Sequence, residues 1–162
     1  MKDDTFLILE SLDNKKIEIK TSAAKKSNLL KGLMNDFEPQ KETIKLPEIK
    51  SDVLKKIVEY LDYYKDKTPK DIPKPLPSND LKEFLTEWDY NFINNIDNDE
   101  VFDLIVASNY MDIPSLLDLC CSKIASLVKG KKVNDIRKMF EIECDLTEEE
   151  IERYGQFQIG FF

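Results

Sequence analysis

The side chains that most often perform catalysis or bind metals are scarce in this sequence and poorly spaced. Its 162 residues include no histidine, three cysteines and four glycines. Without histidine, a metal centre, a histidine-activated nucleophile and a pH switch near neutrality are all disfavoured. Cys120 and Cys121 are adjacent and lack the C-x-x-C spacing of zinc or redox sites, and Cys144 stands apart. Since no acid/base pair or phosphate-binding loop is recognisable either, we expect no catalytic residue, no cofactor and no metal.

A segment between two apolar helical patterns is the best candidate for a binding surface. Asn109 and Tyr110 lie shortly before Pro114, a residue that joins a helix only in its first turn. The preceding pattern, residues 101–107, is apolar on most faces, which predicts a helix in the middle of the core. The following pattern is one wide apolar stripe: Leu116, Leu117, Cys120, Ile124, Leu127 and Val128. We therefore expect a helical hairpin over residues 97–130 that joins the core to a binding surface. The alternative for Tyr110 is a ring packed beneath the turn.

The composition indicates one domain, or one domain with an appendage. Hydrophobic residues make up 41% of the chain and charged residues 35%, and the formal net charge is −8. This acidic balance disfavours nucleic acid as a partner, because phosphate contacts need a clustered basic surface. No apolar run approaches the roughly 18 residues of a membrane span, and the first residues lack the apolar core of a signal peptide. We expect an intracellular protein that binds neither nucleic acid nor membrane.

The N-terminal part of the sequence predicts strands followed by helices. Residues 5–10 and 17–20 favour a β-hairpin with one buried face, and residues 43–46 favour a short third strand. Thr21 or Ser22 is a candidate cap for a short helix, and a second short helix should follow it. Ser51 and Asp52 are candidate caps for a longer amphipathic helix. The expected class is therefore α+β.

The middle of the chain predicts a loop and an aromatic anchor. Four of the seven prolines fall within residues 66–82, which indicates an exposed, mobile loop; a ligand for proline-recognition domains is the less favoured alternative. Trp88, Tyr90 and Phe92 follow the loop, and we expect them to dock the returning chain on the core. A ligand-binding aromatic box is the alternative to docking.

The C-terminal part predicts short helices that need a partner. Gly130 should end the hairpin, and residues 131–142 form an amphipathic pattern. Thr147 and Glu150 form a capping box at the start of a last helix. Such short helices are not stable alone in water, and the tail after them is rich in large apolar residues: Phe157, Ile159, Phe161 and Phe162. This combination is typical of a protein-docking appendage.

A series of short motifs then identifies a family. They occur in this order: Ile44-Lys45-Leu46-Pro47, Val53 to Ile57, the proline-rich loop, Trp88-Asp89 with Phe92, Leu104 to Ile113, Leu116-Leu117-Asp118, Lys129-Gly130-Lys131, Ile136 to Ile142 and Asp145 to Glu150. Each motif alone is weak, but their conjunction over nearly the whole chain is specific. The sequence resembles the Skp family, the small adaptors of Skp–cullin–F-box ubiquitin ligases.

The resemblance implies a fold and a division of labour. Residues 1–129 would form a BTB/POZ-type α+β domain, with a small three-stranded sheet covered by helices, and residues 130–162 a helical F-box-binding extension. Such a protein is not an enzyme but bridges a cullin to an F-box protein, in the cytoplasm and nucleus. Whether the chain forms a homodimer when no F-box protein is bound is left open by the sequence. Asn109 and Tyr110 match family residues at the cullin face. The positions that match the F-box-binding region are Leu116, Leu117, Cys120, Ile136, Phe140, Ile142, Leu146, Tyr154 and Phe157.

Alternatives and departures accompany this resemblance. For several of the apolar residues assigned to F-box binding, the alternative interpretation is that they belong to the ordinary core. An adaptor resembling elongin C, serving another cullin, and a BTB scaffold in a kinetochore-type assembly are the alternative functions. Lys132 and Val133 stand where the family usually has Thr-Pro. Without the threonine cap, the start of the helix there should be less stable by about 1 kcal/mol. Without the proline, we expect no proline hydroxylation or glycosylation. The tail also lacks the family's acidic, tryptophan-containing ending.

Overall fold

The computed structural model of the chain describes residues 5–35, 43–145 and 147–154, without the side chains of residues 151, 152 and 154. A three-stranded sheet with its first strand in the centre lies at the N-terminal end. Strands β1 (Phe6–Glu10) and β2 (Lys16–Lys20) pair antiparallel, and β3 (Thr43–Lys45) pairs parallel with β1. Alternating apolar residues of β1 are buried, as the period of a strand requires. The predicted hairpin and third strand are confirmed.

Helices from the first half of the chain cover this sheet. Helices α1 (Thr21–Ala24) and α2 (Asn28–Leu33) connect the hairpin to β3, and α3 (Ser51–Tyr64) follows β3. The predicted apolar face of α3 points into the core, where Leu54, Ile57 and Leu61 are fully buried. The i, i+3 and i+4 spacing of these residues places them on one side of the helix. The predicted α+β arrangement is thus confirmed.

The two helix caps predicted in this region are wrong. Thr21 and Ser51 are the first residues inside their helices, and neither helix has a side-chain cap of its own. The N-terminus of α3 instead receives the carboxylate of Asp13, from the turn between β1 and β2. Asp13 accepts hydrogen bonds from the Ser51 N–H and hydroxyl, both at 2.8 Å. Sequence spacing could not predict this cap, because the two residues meet only after the hairpin packs against α3.

The proline-rich segment between α3 and the next helix forms neither helix nor strand until a short 3-10 helix at Leu81–Glu83, as predicted. It lies against the hairpin's second helix (Pro114–Val128). The ammonium of Lys74 is 2.7 Å from the carboxylate of Asp118, and the ammonium of Lys129 donates to the carbonyl of Leu76 at 2.7 Å. That the segment moves in solution stays a prediction.

The aromatic anchor docks on α3, as predicted. Helix α4 (Glu87–Asn94) carries Trp88 and is capped by Thr86, whose hydroxyl accepts from the Asp89 N–H. The Trp88 ring stacks on Tyr63 with centroids 3.7 Å apart and planes within 2°. Below this stack, the hydroxyl of Tyr64 donates to the buried carboxylate of Asp89 at 2.7 Å. The chain returning from the loop is therefore fixed by stacking and by a buried hydrogen bond.

The predicted helical hairpin consists of α5 (Asn98–Tyr110) and α6 (Pro114–Val128). Val101 and Leu104 on α5 are buried, but Phe102 and Val106 are 41% and 66% exposed. The prediction that α5 is surrounded by core is therefore wrong: one side of it faces solvent. Gly130 ends the hairpin with a left-handed φ of 73°, as predicted.

The C-terminal extension contains the two short helices predicted for it. The first is shorter than the amphipathic pattern of residues 131–142 from which it was predicted. Helix α7 (Val133–Met139) has no fully buried residue, and its N-cap Lys132 makes no side-chain cap, as the absence of Thr-Pro implied. Helix α8 (Glu148–Tyr154) starts with the predicted capping box, in which the Thr147 N–H donates to Glu150 at 2.9 Å. None of the helices in the described ranges is long and apolar enough to cross a membrane.

Candidate protein-binding surfaces of the helical hairpin

The first candidate surface lies at the turn of the hairpin and consists of Val106, Asn109 and Tyr110, here called the turn surface. Val106 and Tyr110 are four residues apart on α5, so their side chains share one face of the helix. Val106 is 66% exposed and Tyr110 is 38% exposed, with Asn109 exposed beside them. The Tyr110 ring is thus available to a partner. This surface combines an aromatic, an aliphatic and an amide side chain.

The turn that carries this surface is firmly held from below. Met111 and Ile113, just after Tyr110, are almost fully buried. The buried hydroxyl of Ser27 donates to the Met111 carbonyl at 2.6 Å, and the Asn28 N–H donates to the Asp112 carbonyl at 3.1 Å. Ser27 also caps α2 by accepting from the Leu30 N–H. One serine therefore ties the helix beside the sheet to the hairpin turn, and the turn surface has a rigid base.

The second candidate surface is an apolar groove between the hairpin and the extension, here called the extension groove. Its volume is about 870 Å³. The apolar side chains that line it are Phe102, Ile124, Met139, Phe140 and Ile142. Its polar lining consists of Asp97, Asn98, Asp99 and Glu141. The groove therefore combines apolar side chains with three carboxylates, which suits a partner with apolar side chains and no dense negative charge.

An aromatic pair joins the two walls of the groove. The rings of Phe102, on α5, and Phe140, just after α7, meet edge to face with centroids 5.6 Å apart. Glu141 then adopts a left-handed φ of 52°, which turns the chain so that the Ile142 N–H donates to the Arg137 carbonyl. Even so, 54% of Ile142 is exposed. The groove thus keeps large apolar side chains in contact with water.

The structure divides the predicted F-box-binding residues into two groups. Ile136 and Phe140 are half-buried and Ile142 is exposed, so these three can reach a partner. Leu116 and Cys120 are fully buried in the core, which corrects their assignment as surface contacts in this conformation. Burial also raises the pKa of the Cys120 thiol to about 12.

The remaining predicted positions have mixed outcomes. Leu117, one position after the buried Leu116, is half-buried, because the wide stripe on α6 turns from the core toward the surface. Leu146, the Tyr154 side chain and Phe157 lie outside the described residues. Their assignment to partner contacts stays a prediction.

Sequence reasoning missed two exposed residues, Phe102 and Val106. Both lie within residues 101–107, which we expected to be in the core because that pattern is apolar on most faces. Phe102, Val106 and Tyr110 recur every four residues, a spacing that puts them along one side of a helix. This regular spacing was the available signal for a second, outward-facing apolar stripe.

A further cavity lies between the proline-rich segment and α6. It has a volume of about 210 Å³, and its lining includes Ile72, Leu76, Cys121 and Ala125. Lys74 and Lys129, whose contacts with Asp118 and Leu76 are described above, also line it. In the described parts of the chain, no three histidine, cysteine, aspartate or glutamate residues are grouped so that they could hold a metal ion.

Comparison with known proteins gives matches at both ends of the chain. A model of the Skp1 family tetramerisation domain matches residues 5–66, and a model of the Skp1 family dimerisation domain matches residues 114–154. The chain is 41% identical over 149 residues to an S-phase kinase-associated protein 1 homolog of Tetrahymena thermophila, with 92% of this chain and 89% of the relative covered. It is 34% identical over 144 residues to the E3 ubiquitin ligase complex SCF subunit sconC of Arthroderma benhamiae, with coverage of 89% and 87%. The sconC protein of Emericella nidulans is 34% identical over 147 residues, with coverage of 91% and 90%.

Proposed function

Because the chain belongs to the Skp1 family, we propose that it is a non-enzymatic adaptor subunit of a Skp–cullin–F-box ubiquitin ligase in the cytoplasm and nucleus. It bridges a cullin scaffold to F-box substrate receptors. Its small sheet and covering helices form the predicted BTB/POZ-type fold. The relatives named as subunits of a ubiquitin ligase complex support this role. The absence of histidine from the sequence supports a role without catalysis.

The observation that carries the proposal is the presence of two exposed apolar surfaces on one helix. Phe102, at the extension groove, and Tyr110, in the turn surface, are eight residues apart on α5. At 1.5 Å per residue this separation is about 12 Å along the helix. Two partners bound there would sit side by side on a single rigid element. An adaptor needs this arrangement, because its task is to hold two proteins at a fixed distance.

We assign the cullin to the turn surface. Aromatic residues dominate binding energy at many interfaces, and Tyr110 is a partly exposed aromatic on a rigid base. Asn109 adds hydrogen-bonding groups beside it, and Val106 adds apolar area. The rigid base supports this assignment, since a preorganised surface loses little conformational entropy on binding.

We assign the F-box to the extension groove and to the half-buried residues of α7 next to it. Grooves of this kind receive the apolar face of a partner helix. Ile136, Phe140 and Ile142 supply apolar contacts on the side of the extension, and Phe102 supplies the facing contact on α5. The weak attachment of α7 supports this assignment, because α7 can adjust its position to different partners.

Two variants test the assignments separately. The double change Asn109→Lys and Tyr110→Lys should abolish cullin capture and leave F-box capture intact, because it places two charges in the turn surface only. Phe140→Asp should have the reverse effect, because it places a charge in the apolar groove. Pull-down of recombinant full chain with a cullin N-terminal domain or an F-box protein measures both results. Asn91→Lys with Asn94→Lys, on the exposed side of α4, is the matched charge control.

Several outcomes would contradict these assignments. Equal loss of both partners in one variant, together with a lower melting temperature, would indicate unfolding. Capture of the F-box protein by Phe140→Asp at wild-type affinity would remove the groove assignment. Wild-type chain that captures neither partner would refute the adaptor role itself, and capture of a cullin without any F-box protein would favour an adaptor of another kind.

Self-association is a second proposal, supported by the description of the model that matches residues 114–154 as a dimerisation domain. The chain forms a homodimer through α6 and the extension when no F-box protein is bound. Sedimentation velocity over a range of concentrations tests this. We expect a dimer that disappears when a stoichiometric F-box protein is added; a monomer at all concentrations would refute it.

A further inference from the structure

The cavity between the proline-rich segment and α6 has a mostly apolar lining. The segment contributes Ile72, Pro73, Pro75 and Leu76, and α6 contributes Ala125. The cavity has a volume of about 210 Å³. An apolar cavity of about 150 Å³ is already large enough to hold benzene. There is therefore room here for one small organic molecule with an apolar body.

The wall that the segment forms is held on α6 by polar contacts. The ammonium of Lys74 lies 2.7 Å from the carboxylate of Asp118. The ammonium of Lys129 donates to the carbonyl of Leu76 at 2.7 Å, and the side-chain amide of Asn79 donates to the carbonyl of Lys129 at 3.2 Å. The prolines stiffen the segment further, because their rings fix φ. A wall that is ordered before a ligand arrives limits the conformational entropy lost on binding.

The charged side chains that line the cavity do not balance. They are the cations Lys74 and Lys129 and the carboxylate of Asp118. Asp118 neutralises Lys74, whereas the half-buried Lys129 donates to a neutral carbonyl, that of Leu76. The net charge of the whole chain is −8, but charges farther away than about 8–10 Å are largely screened at physiological ionic strength. The local excess is one positive charge, which favours a ligand with one negative charge.

The thiol of Cys121 is part of the lining and adds no charge to it. Desolvation of this thiol raises its pKa above the ordinary value of 9.0, so the thiol is neutral at pH 7. It does not repel an anion in the cavity. Cys121 is nevertheless an exposed residue, and a reagent from solvent can reach it. Its reactivity can therefore report whether the cavity is occupied.

We propose that this cavity binds a small apolar monocarboxylate, with its hydrocarbon part between Ile72, Leu76 and Ala125 and its carboxylate at Lys129. An ammonium group has three N–H donors, so Lys129 can hold the Leu76 carbonyl and a carboxylate together. Burial of the hydrocarbon part stabilises the complex, and the charged hydrogen bond selects for the anion. Such a ligand contacts both walls and fastens the segment to α6. The proposal does not rest on the adaptor role.

Alkylation of Cys121 measures the occupancy of the cavity. The full chain is treated with iodoacetamide at increasing concentrations of hexanoate, and mass spectrometry of peptides quantifies modification at each cysteine. Hexanoate should slow the modification of Cys121 in a saturable way and leave that of Cys144, outside the lining, unchanged. Hexan-1-ol has the same carbon chain without the charge. It should need an about tenfold higher concentration for the same protection, because it makes no charged hydrogen bond.

Two variants locate the ligand within the cavity. Ala125→Leu fills part of the space and should abolish protection by hexanoate, whereas Ser126→Leu adds the same bulk outside the lining and should retain it. Lys129→Gln removes the charge but keeps an N–H donor for the Leu76 carbonyl. It should erase the preference for hexanoate over hexan-1-ol. If circular dichroism shows that Ala125→Leu does not fold, the comparison of Lys129→Gln with wild type decides.

Three results would overturn the proposal. One is the absence of saturable protection of Cys121 by hexanoate. The second is equal protection by hexanoate and hexan-1-ol in the wild type, which would refute recognition of a carboxylate. The third is protection of Cys144 equal to that of Cys121, or unchanged protection in folded Ala125→Leu, because either would place the bound molecule outside the cavity.

Discussion

The two ends of the helical hairpin are supported in different ways. At the turn, buried Met111 and Ile113 and the hydrogen bond from Ser27 fix the backbone beneath Asn109 and Tyr110. At the other end, α7 has no fully buried residue, and Phe140 packs edge to face on Phe102 at the side of a groove. One hairpin thus presents a preorganised surface at its turn and a loosely packed one at the extension. We expect a partner of constant shape at the first and partners of variable sequence at the second.

The largest expected effect concerns the core beneath both surfaces. Leu116→Ala removes a fully buried side chain and should lower the free energy of unfolding by about 2–5 kcal/mol. Leu117→Ala, at the half-buried neighbouring position, should cost clearly less. Urea unfolding followed by the fluorescence of Trp88 measures both. Equal costs would mean that α6 is rotated relative to this structure, and that Leu116 belongs to a binding surface after all.

The support of the turn is tested by Ser27→Ala. This change leaves the Met111 carbonyl and the Leu30 N–H without their partner in a buried place, so it should destabilise the chain by about 1–2 kcal/mol. Hydrogen exchange should also become faster at the amides of the hairpin turn. Ser126→Ala is the control, because its hydroxyl donates to the Lys123 carbonyl within α6. Unchanged exchange at the turn would mean that Ser27 does not fix the turn surface.

The cap on α3 predicts a dependence of stability on pH. Hydrogen bonds from Ser51 and Ser11 hold the pKa of the Asp13 carboxyl well below its ordinary value of 3.8. Because the folded-state pKa is lowered, the contribution of Asp13 to the free energy of unfolding is present above about pH 4. This contribution is lost as the pH falls further. Asp13→Asn should therefore destabilise the chain at pH 7, and the difference from wild type should shrink by pH 2. Urea unfolding at pH 7 and pH 2 measures the free energy of unfolding of both proteins. An equal difference between wild type and Asp13→Asn at the two pH values would exclude this cap.

The smallest effect is expected in the extension. Thr147→Ala removes the hydroxyl side of the capping box on α8 and should reduce the helical signal in circular dichroism slightly. The main unfolding transition should not move, because the extension contributes little to the core. A shift of several degrees in the melting temperature would show that the extension is an integral part of the folded body, and the contrast between the two ends of the hairpin would then disappear.

Local patterns in the sequence were enough to predict the secondary-structure elements and the family. Strand-forming residues in β1 and alternation in β2 predicted the hairpin, and the three- and four-residue spacing in α3 predicted its buried face. The capping box at Thr147 and the helix end at Gly130 were also predictable, because these signals depend only on residues a few positions apart. The ordered series of motifs identified the Skp family. No structure was needed for any of these conclusions.

Which apolar residues lie at the surface, and which residues support them, depends on contacts that form only in the folded chain. Asp13 caps α3 from 38 positions away, and Ser27 holds the Met111 carbonyl from 84 positions away. Phe102 and Leu116 are similar in apolar character, yet one lines the extension groove and the other is fully buried. The physical reason is that burial depends on which elements pack against a residue. Local sequence fixes the period of a helix, whereas packing selects which side of that helix is left for a partner.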